Sequence, residues 1–340
     1  MRAELNPKQH RGAVAIVAVA LVALVVGVSV AVMSGDDQNA SLTIGIDGGY
    51  SHWSAGEIDA RRELGAAVTR FEWEPGAPLE ESEETVLAAA EIDTRLHALL
   101  GGNEIGDPVE YRDWVVDFIR YYGTNGTFWE EHPELDASRY AITTVELGNE
   151  PYVEGISPAD YVDAIRPALE AIHDLELPVE VVVAAHLYGD DTSWVDGLYE
   201  HSPDLNSVVD AFALHPYWYG HPPYEPGPAG SFERIETLRE TIDSHGGESI
   251  PIQITEYGQS TADCGEECVS EEDQAADLAA MIDAVTSYPD WKVEMVSIFQ
   301  LIDRGTDTGE RELHFGLLRE DGSPKPSYEV VRDAMQSHRG

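Results

Sequence analysis

Two glutamates are placed to do chemistry together. Glu150 stands next to last in the stretch 143–151, TTVELGNEP, and Glu256 sits within 254–258, ITEYG. The first stretch reads as a short β-strand in which Thr144, Glu146, Gly148 and Glu150 share one face, so two carboxylates point the same way. A half-buried strand rarely turns acids inward unless they are paired or react. Pro151 cannot donate to a sheet ladder, so the strand is expected to stop there, with Asn149 and Glu150 at its carboxyl end. A turn after an edge strand is the bland alternative for the same letters. Two carboxyls about 5–5.5 Å apart can divide the work at one acetal carbon, one attacking it while the other protonates the departing oxygen. Carboxylates so close resist ionising together, so one of the two is expected to hold its proton.

Something must carry these residues to one place, and the chain supplies a regular frame. Apolar runs at 42–46, 67–71, 95–100, 179–185, 208–214, 250–255 and 293–299 read as strands alongside the one that leads to Glu150. Segments 58–64, 83–92, 108–122, 158–175, 194–199, 232–244, 271–287 and 327–335 read as helices. Pro108 suits a helix start, Trp114, Val115, Phe118 and Ile119 give its apolar face, and Gly123 suits its end. The stretch 126–129, GTFW, is expected to be a loop. Run 179–185 is almost wholly apolar, as a parallel strand covered on both faces requires. Strand-then-helix units repeated over roughly 300 residues point to a single (β/α)8 TIM barrel rather than an open sheet. No Gly-x-Gly-x-x-Gly follows the first strand, which removes the best support for a dinucleotide fold.

A different kind of segment precedes this frame. Arg2, Lys8 and Arg11 stand before an uncharged run at 12–35, and Asp36 and Asp37 follow it. Its stretch 13–33 is long enough to span a bilayer and longer than a usual signal-peptide core. Basic residues before it and acidic ones after predict a cytoplasmic N-terminus with the remainder outside. Ser29-Val30-Ala31 keeps a cleaved signal peptide open. The expected organisation is therefore a cytoplasmic tip, signal-anchor or signal-peptide helix and linker over 1–40, then an extracellular barrel over 41–340, anchored or secreted. The chain carries 64 acidic against 20 basic residues, a net charge of −44. Such a polyanion is repelled by nucleic acid and by anionic membrane surfaces, so neither is expected as a partner. The acid is spread along the chain, as on a solvated surface, and suits a high-salt setting or a GC-rich acidic host equally. Cys264 and Cys268 favour a short-loop disulfide in an oxidising compartment, and without nearby histidine spacing they are a weak metal signal.

In a (β/α)8 barrel the functional residues gather at the carboxyl ends of the strands. Those ends supply Asp47, Arg70, His97, Asn149 with Glu150, His186, His215 with Tyr217, Glu256 with Tyr257, and Gln300. By this count Glu150 ends the fourth strand and Glu256 follows the seventh. Asn149-Glu150-Pro151 paired with Thr255-Glu256-Tyr257-Gly258 resembles clan A of the glycoside hydrolases, the retaining barrel enzymes that include cellulases, mannanases and β-xylosidases. The resemblance covers most of 42–336. Through 111–129, His132-Pro133-Glu134-Leu135 and Phe315-Gly316-Leu317-Leu318 it looks like bacterial members near families 5 and 39. It implies hydrolysis of O-glycosidic bonds, with β-linked substrates the first expectation, and no cofactor or metal. By the same resemblance Glu150 is the general acid/base, with a raised pKa, and Glu256 the nucleophile. Arg70 then steadies the nucleophile, Asn149 bonds the sugar 2-hydroxyl, and His215 and Tyr217 match sixth-strand elements. Tyr257, Trp218 and Trp129 are further candidates for substrate contact. One departure stands out: many members place a tryptophan under the sugar at the end of strand eight, where this chain has Phe299, Gln300 and Leu301.

Rival readings exist for these residues. Arg70 could be a structural partner of Glu146, His97 and His186 could be satisfied strand-end histidines, and Trp53, Trp73, Trp129 and Trp218 could stack on sugar rings or simply cover the core. A metal-dependent barrel hydrolase would use His97, His186 and His215, although the first strand offers no histidine. A non-catalytic carbohydrate-binding barrel is the third class, opposed by the presence of both glutamates.

Overall fold

Strands that are apolar along their whole length can be buried on both faces, and parallel pairing under a layer of helices achieves this. The computed structural model describes residues 42–49, 52–103, 105–187, 191–217 and 230–338. In it β1 (Thr43–Asp47), β2 (Val68–Trp73), β3 (Arg95–Leu100), β4 (Thr144–Leu147), β5 (Glu180–Ala185), β6 (Ala211–Leu214), β7 (Ile252–Tyr257) and β8 (Val293–Ile298) pair in parallel in sequence order. β8 pairs back onto β1, which closes the barrel that the strand-helix alternation predicts. The segment 13–33 and Trp218 lie outside the described residues. Among the described residues no helix is long and apolar enough to cross a membrane.

The helices are α1 (Ala55–Leu64), α2 (Glu83–Glu91), α3 (Pro108–Tyr122), α4 (Thr127–Glu131), α5 (Ala137–Tyr140), α6 (Pro158–Asp174), α7 (Ser193–His201), α8 (Ser231–Ser244), α9 (Glu271–Ser287) and α10 (Pro326–Ser337). Local chemistry sets their ends. Asp107 caps α3 by accepting from Val109 and Glu110 N–H, with Pro108 in the first turn, where its missing donor costs nothing. Ser157 and Ser270 cap α6 and α9 in the same way.

The main apolar core lies between the strand and helix layers, while a small set (Val182, Ala211, Ala213) forms a separate cluster. At the amino-terminal end of the barrel Gln253 Nε2 donates to Glu180 Oε1 at 2.6 Å and to Glu294 Oε1 at 2.7 Å. Burial pushes the Glu294 carboxyl up to about 7, against the Gln253 bond and with help from the Glu180 charge.

Two local expectations are corrected. The fourth strand ends at Leu147, not at Pro151, because Gly148 turns the backbone to φ 77° and takes the chain out of the sheet direction. The stretch 126–129 is mostly the start of α4, whose Phe128 and Trp129 pack inward beneath Tyr122.

Candidate active site

The carboxyl ends of the strands open into a cavity of about 790 Å³ lined in part by Asp47, Arg70, Asn149, Glu150, His215 and Glu256. Its floor is organised by one cation. Arg70 stands inward on β2, fully buried. Its Nε and Nη2 donate to Glu146 at 2.7 and 3.1 Å, and its Nη1 reaches Glu256 Oε1 at 2.6 Å and Asp47 Oδ2 at 3.3 Å. Nη2 also donates to Asn149 Oδ1 at 2.9 Å. Arg70 is thus at once the partner of Glu146 and the support of Glu256, so the two readings of it are both realised. Burial alone would raise the Glu146 carboxyl, but the Arg70 charge and bonds outweigh burial and hold it well below the usual carboxylate range.

Glu256 faces the cavity because β7 is irregular. The pairing of β7 with β8 shifts register between Ile254 and Tyr257. Thr255 and Glu256 both bond inward across this irregularity, Thr255 to Glu146 and Glu256 to Arg70. Tyr257 pays the consequence of the shift: it is 0% exposed, and the charge of Asp277 on α9 acts on its hydroxyl from the helix layer. It does not line the cavity, so its assignment as a substrate contact is corrected. Glu256 is held at both oxygens, by Arg70 at Oε1 and by the Tyr217 hydroxyl at Oε2, 3.1 Å away.

Glu150 is held differently. Beyond Gly148 the loop carries Asn149 and then Glu150 at φ 34°, a left-handed conformation that costs a residue with a side chain on the order of 1–3 kcal/mol. The Tyr152 hydroxyl donates to Glu150 Oε1 at 2.8 Å, and Tyr152 stacks on His186 with ring centroids 3.6 Å apart. His215 Nδ1 lies 2.8 Å from Glu150 Oε1 and 3.8 Å from Glu256 Oε2, so the two carboxyls meet at one nitrogen.

The network also fixes the tautomer of that histidine. Thr255 Oγ1 donates to Glu146 Oε1 at 3.1 Å, so toward His215 Nε2, 2.9 Å away, it acts as acceptor, and Nε2 carries a proton. The 2.8 Å approach of Nδ1 to Glu150 then needs one more proton, held by either partner. Burial opposes charge on His215, but Glu256 and Glu150 outweigh it and raise its pKa. Burial likewise pushes Glu150 up, but the hydrogen bonds from His215 and Tyr152 prevail and bring it down to about 2. Burial raises Glu256, with His215 and Arg70 offsetting part of the rise. The expectation of a raised Glu150 is therefore corrected for the resting site. Both shifts draw the shared proton toward His215, a partner whose position between the two glutamates the sequence does not reveal.

The other candidates divide. Asn149 and Tyr217 line the cavity with the glutamates. Trp129 is buried in the core with its Nε1 donating to the Tyr122 carbonyl at 2.8 Å, so it is corrected from sugar contact to core residue, and Trp53 and Trp73 are buried as well. His97 lies lower, 3.3 Å from Glu146. Among the described residues no group of three or more His, Cys, Asp and Glu is placed to hold a metal, and His97, His186 and His215 each have a different partner. Cys264 and Cys268 form a disulfide with Cα atoms 5.4 Å apart in the segment after β7. Phe299 lines the cavity at the place of the missing tryptophan. Phe315, quoted from the sequence only as part of a motif, lines it too, and Tyr152, Arg234, Arg304 and Arg311 line it without having been singled out. Only Tyr152 carried a signal, its position two residues after Glu150.

No family model matches the sequence, and no curated protein matches it. Solved structures match the fold. A family 39 glycoside hydrolase from Bacteroides cellulosilyticus WH2 is 18% identical over 86% of this chain and 63% of its own, with a TM-score of 0.65. This chain therefore spans less than two thirds of that protein's length. A glucosidase from Croceicoccus marinus is 16% identical over 88% of this chain and 68% of its own, also with a TM-score of 0.65. A family 51 α-L-arabinofuranosidase from Bifidobacterium longum is 14% identical over 87% and 73%, with a TM-score of 0.63. At these identities the likeness establishes the barrel fold.

Proposed function

We propose that the chain is a retaining glycoside hydrolase of the clan A type that acts by double displacement. The observation that carries this reading is the approach of Glu150 and Glu256 to the same nitrogen of His215, at 2.8 and 3.8 Å, inside the cavity at the strand ends. Together the two distances keep the approaching oxygens short of nearly all of the about 6.5–9.5 Å that inversion uses, and they accommodate the about 5–5.5 Å of retention. The fold shared with known glycosidases supports the reading.

The environments support one division of roles. Glu256 is buried and fixed at both oxygens, as a nucleophile aimed at one carbon must be. Glu150 is more exposed and joined to a proton carrier, as suits a group that must exchange protons with a leaving group and with water. In the first step Glu256 attacks the anomeric carbon, the bond to the leaving oxygen breaks, and a glycosyl ester forms on Glu256. The ester removes the Glu256 charge that favours charged His215. As that charge is lost His215 becomes a weaker base, and the proton at Nδ1 passes to Glu150 and on to the leaving oxygen while its bond breaks. In the second step the Glu150–His215 pair takes a proton from water, the hydroxyl attacks the anomeric carbon, and Glu256 is released. By this reading Asn149, hydrogen-bonded to Arg70, bonds the sugar 2-hydroxyl.

The same proposal puts the barrel outside the cell, anchored or released, on the support of the basic–apolar–acidic order of residues 2–37 and of the Cys264–Cys268 disulfide. The test is turnover on a panel of aryl glycosides and polysaccharides. At least one is hydrolysed by the native chain and none by Glu256→Gln. Sugar binding with no turnover anywhere on the panel would leave the non-catalytic barrel in its place.

A further inference from the structure

Charge inside the cavity is divided by side. The floor and the β1-to-β4 side hold Asp47, Glu72, Glu150 and Glu256, and their one arginine, Arg70, is already committed to carboxylates. Among the described residues the β6-to-β8 side holds Arg234, Arg304 and Arg311, with Glu312 the one acid besides Glu256 of the floor. Three arginines on one wall are out of proportion in a chain of 20 basic and 64 acidic residues.

These arginines are mounted on one aromatic surface that runs to the nucleophile. The Arg304 guanidinium lies 5.4 Å over the Phe299 ring and that of Arg311 lies 5.8 Å over Phe315. Phe299 and Phe315 meet edge to face at 5.4 Å, and Phe315 is 6.0 Å from Tyr217, whose hydroxyl reaches Glu256. Arg234 Nη1 donates to the Tyr217 carbonyl at 2.9 Å. The charge of Arg234 is felt inside the cavity, adding to the burial that takes His186 down to about 4. Stacking engages the face of a guanidinium, whereas anion recognition uses its in-plane N–H fork, so one arginine can do both. Arg311 donates to Glu312, but that carboxylate is largely solvated, and an exposed pair of this kind exchanges readily for a better anion.

The position of the wall says which part of a substrate it meets. In the closed barrel β8 lies across from β4, and the leaving group must sit beside Glu150, just after β4. The arginines therefore face the sugar that becomes bonded to Glu256. Where many clan A members offer that sugar a tryptophan platform, this chain offers a phenylalanine with a guanidinium over it. We propose that the glycone is an anionic sugar, its carboxylate or sulfate group held by Arg234, Arg304 and Arg311. This rests on the glycosidase reading and adds the substrate class to it.

The test uses matched aryl glycosides in both anomeric series: a neutral hexoside, the corresponding hexuronide and the 6-O-sulfated hexoside. The native chain is expected to favour one charged member over the neutral one by about tenfold or more in kcat/KM, and which member it favours separates carboxylate from sulfate. Arg304→Gln and Arg311→Gln should each remove most of that preference while leaving the neutral substrate within about twofold, and Arg304→Lys should keep part of it. Preference for the neutral member, unchanged by these variants, overturns the inference and leaves the glycosidase reading intact. If no member is hydrolysed, calorimetry decides with a neutral, a uronic and a sulfated oligosaccharide titrated into Glu256→Gln. Tighter binding of a charged one supports the inference although the glycosidase reading has failed, and equal or weaker binding of both overturns it.

Discussion

Replacing Arg70 by methionine keeps much of the side-chain volume and removes the one cation shared by Asp47, Glu146 and Glu256. Breaking a buried ion pair from one side costs about 3–5 kcal/mol, because the remaining charge is left uncompensated. Glu146, 1% exposed, is the partner with the least access to water. The loss depends on pH with a sign that can be worked out. In the native chain the folded-state pKa of Glu146 lies below its ordinary value of 4.5, so its contribution is present above that pH and is lost as pH falls. Without Arg70 the same burial raises the folded-state pKa, so the variant is penalised most at high pH and relieved as Glu146 takes up a proton. Urea unfolding followed by circular dichroism should therefore show a deficit of about 3–5 kcal/mol at pH 7. At pH 5 the deficit should be smaller by about 1 kcal/mol or more, since each unit of differential protonation is worth about 1.4 kcal/mol. Arg70→Lys, with a charge but no fork, should fall between. A deficit under about 1 kcal/mol at pH 7, or one that grows on acidification, would refute the placement of Arg70 as the organiser of the floor.

The remaining predictions concern other parts of the barrel. Glu294 has a folded-state pKa raised to about 7, so it favours the fold below its ordinary 4.5 and progressively less as pH rises through 7. Glu294→Gln should consequently raise stability by about 1–3 kcal/mol at pH 8 and change little near pH 4, read from urea midpoints; the opposite order would place the charge elsewhere. Trp129→Ala should cost about 3–5 kcal/mol in the same assay with KM unchanged, whereas a shifted KM would return Trp129 to the cavity. Replacing Cys264 and Cys268 together by serine should cost about 2 kcal/mol, the loop entropy of so short a ring, and non-reduced mass spectrometry of the native chain should find no free thiol.

The barrel was legible in the sequence because short, largely apolar runs alternate regularly with amphipathic helices. The segments 108–122 and 271–287 match α3 and α9 at both ends, where Pro108 and Gly123 mark one of them. Glu150, Glu256, Arg70 and Asn149 were legible because they combine reactive chemistry with strand-end positions. What did not show was the geometry across strands. Nothing in ITEYG announces the register shift that turns Glu256 inward and Tyr257 outward. Nothing local tells whether Trp129 lies in the cavity or under Tyr122, since an aromatic suits both places. The pull of the shared proton toward His215 depends on Thr255 and Glu146, which come from two other strands, so pairwise reasoning about the two glutamates reached the opposite direction for Glu150. The arginine wall is spread over α8 and the loops after β8, and it forms only when the barrel closes.

The central claim is the division of labour between Glu256 and Glu150, and the direct measurement is the configuration of products formed by alanine variants with azide. On an activated aryl glycoside, Glu150→Ala should still form the glycosyl ester, and azide should speed its release as a glycosyl azide of retained configuration. Glu256→Ala cannot form the ester, should be nearly inactive alone, and with azide should yield the azide of inverted configuration. The account is contradicted if Glu256→Ala hydrolyses the activated substrate at near-native rates without azide, or if the two variants give azides of the same configuration.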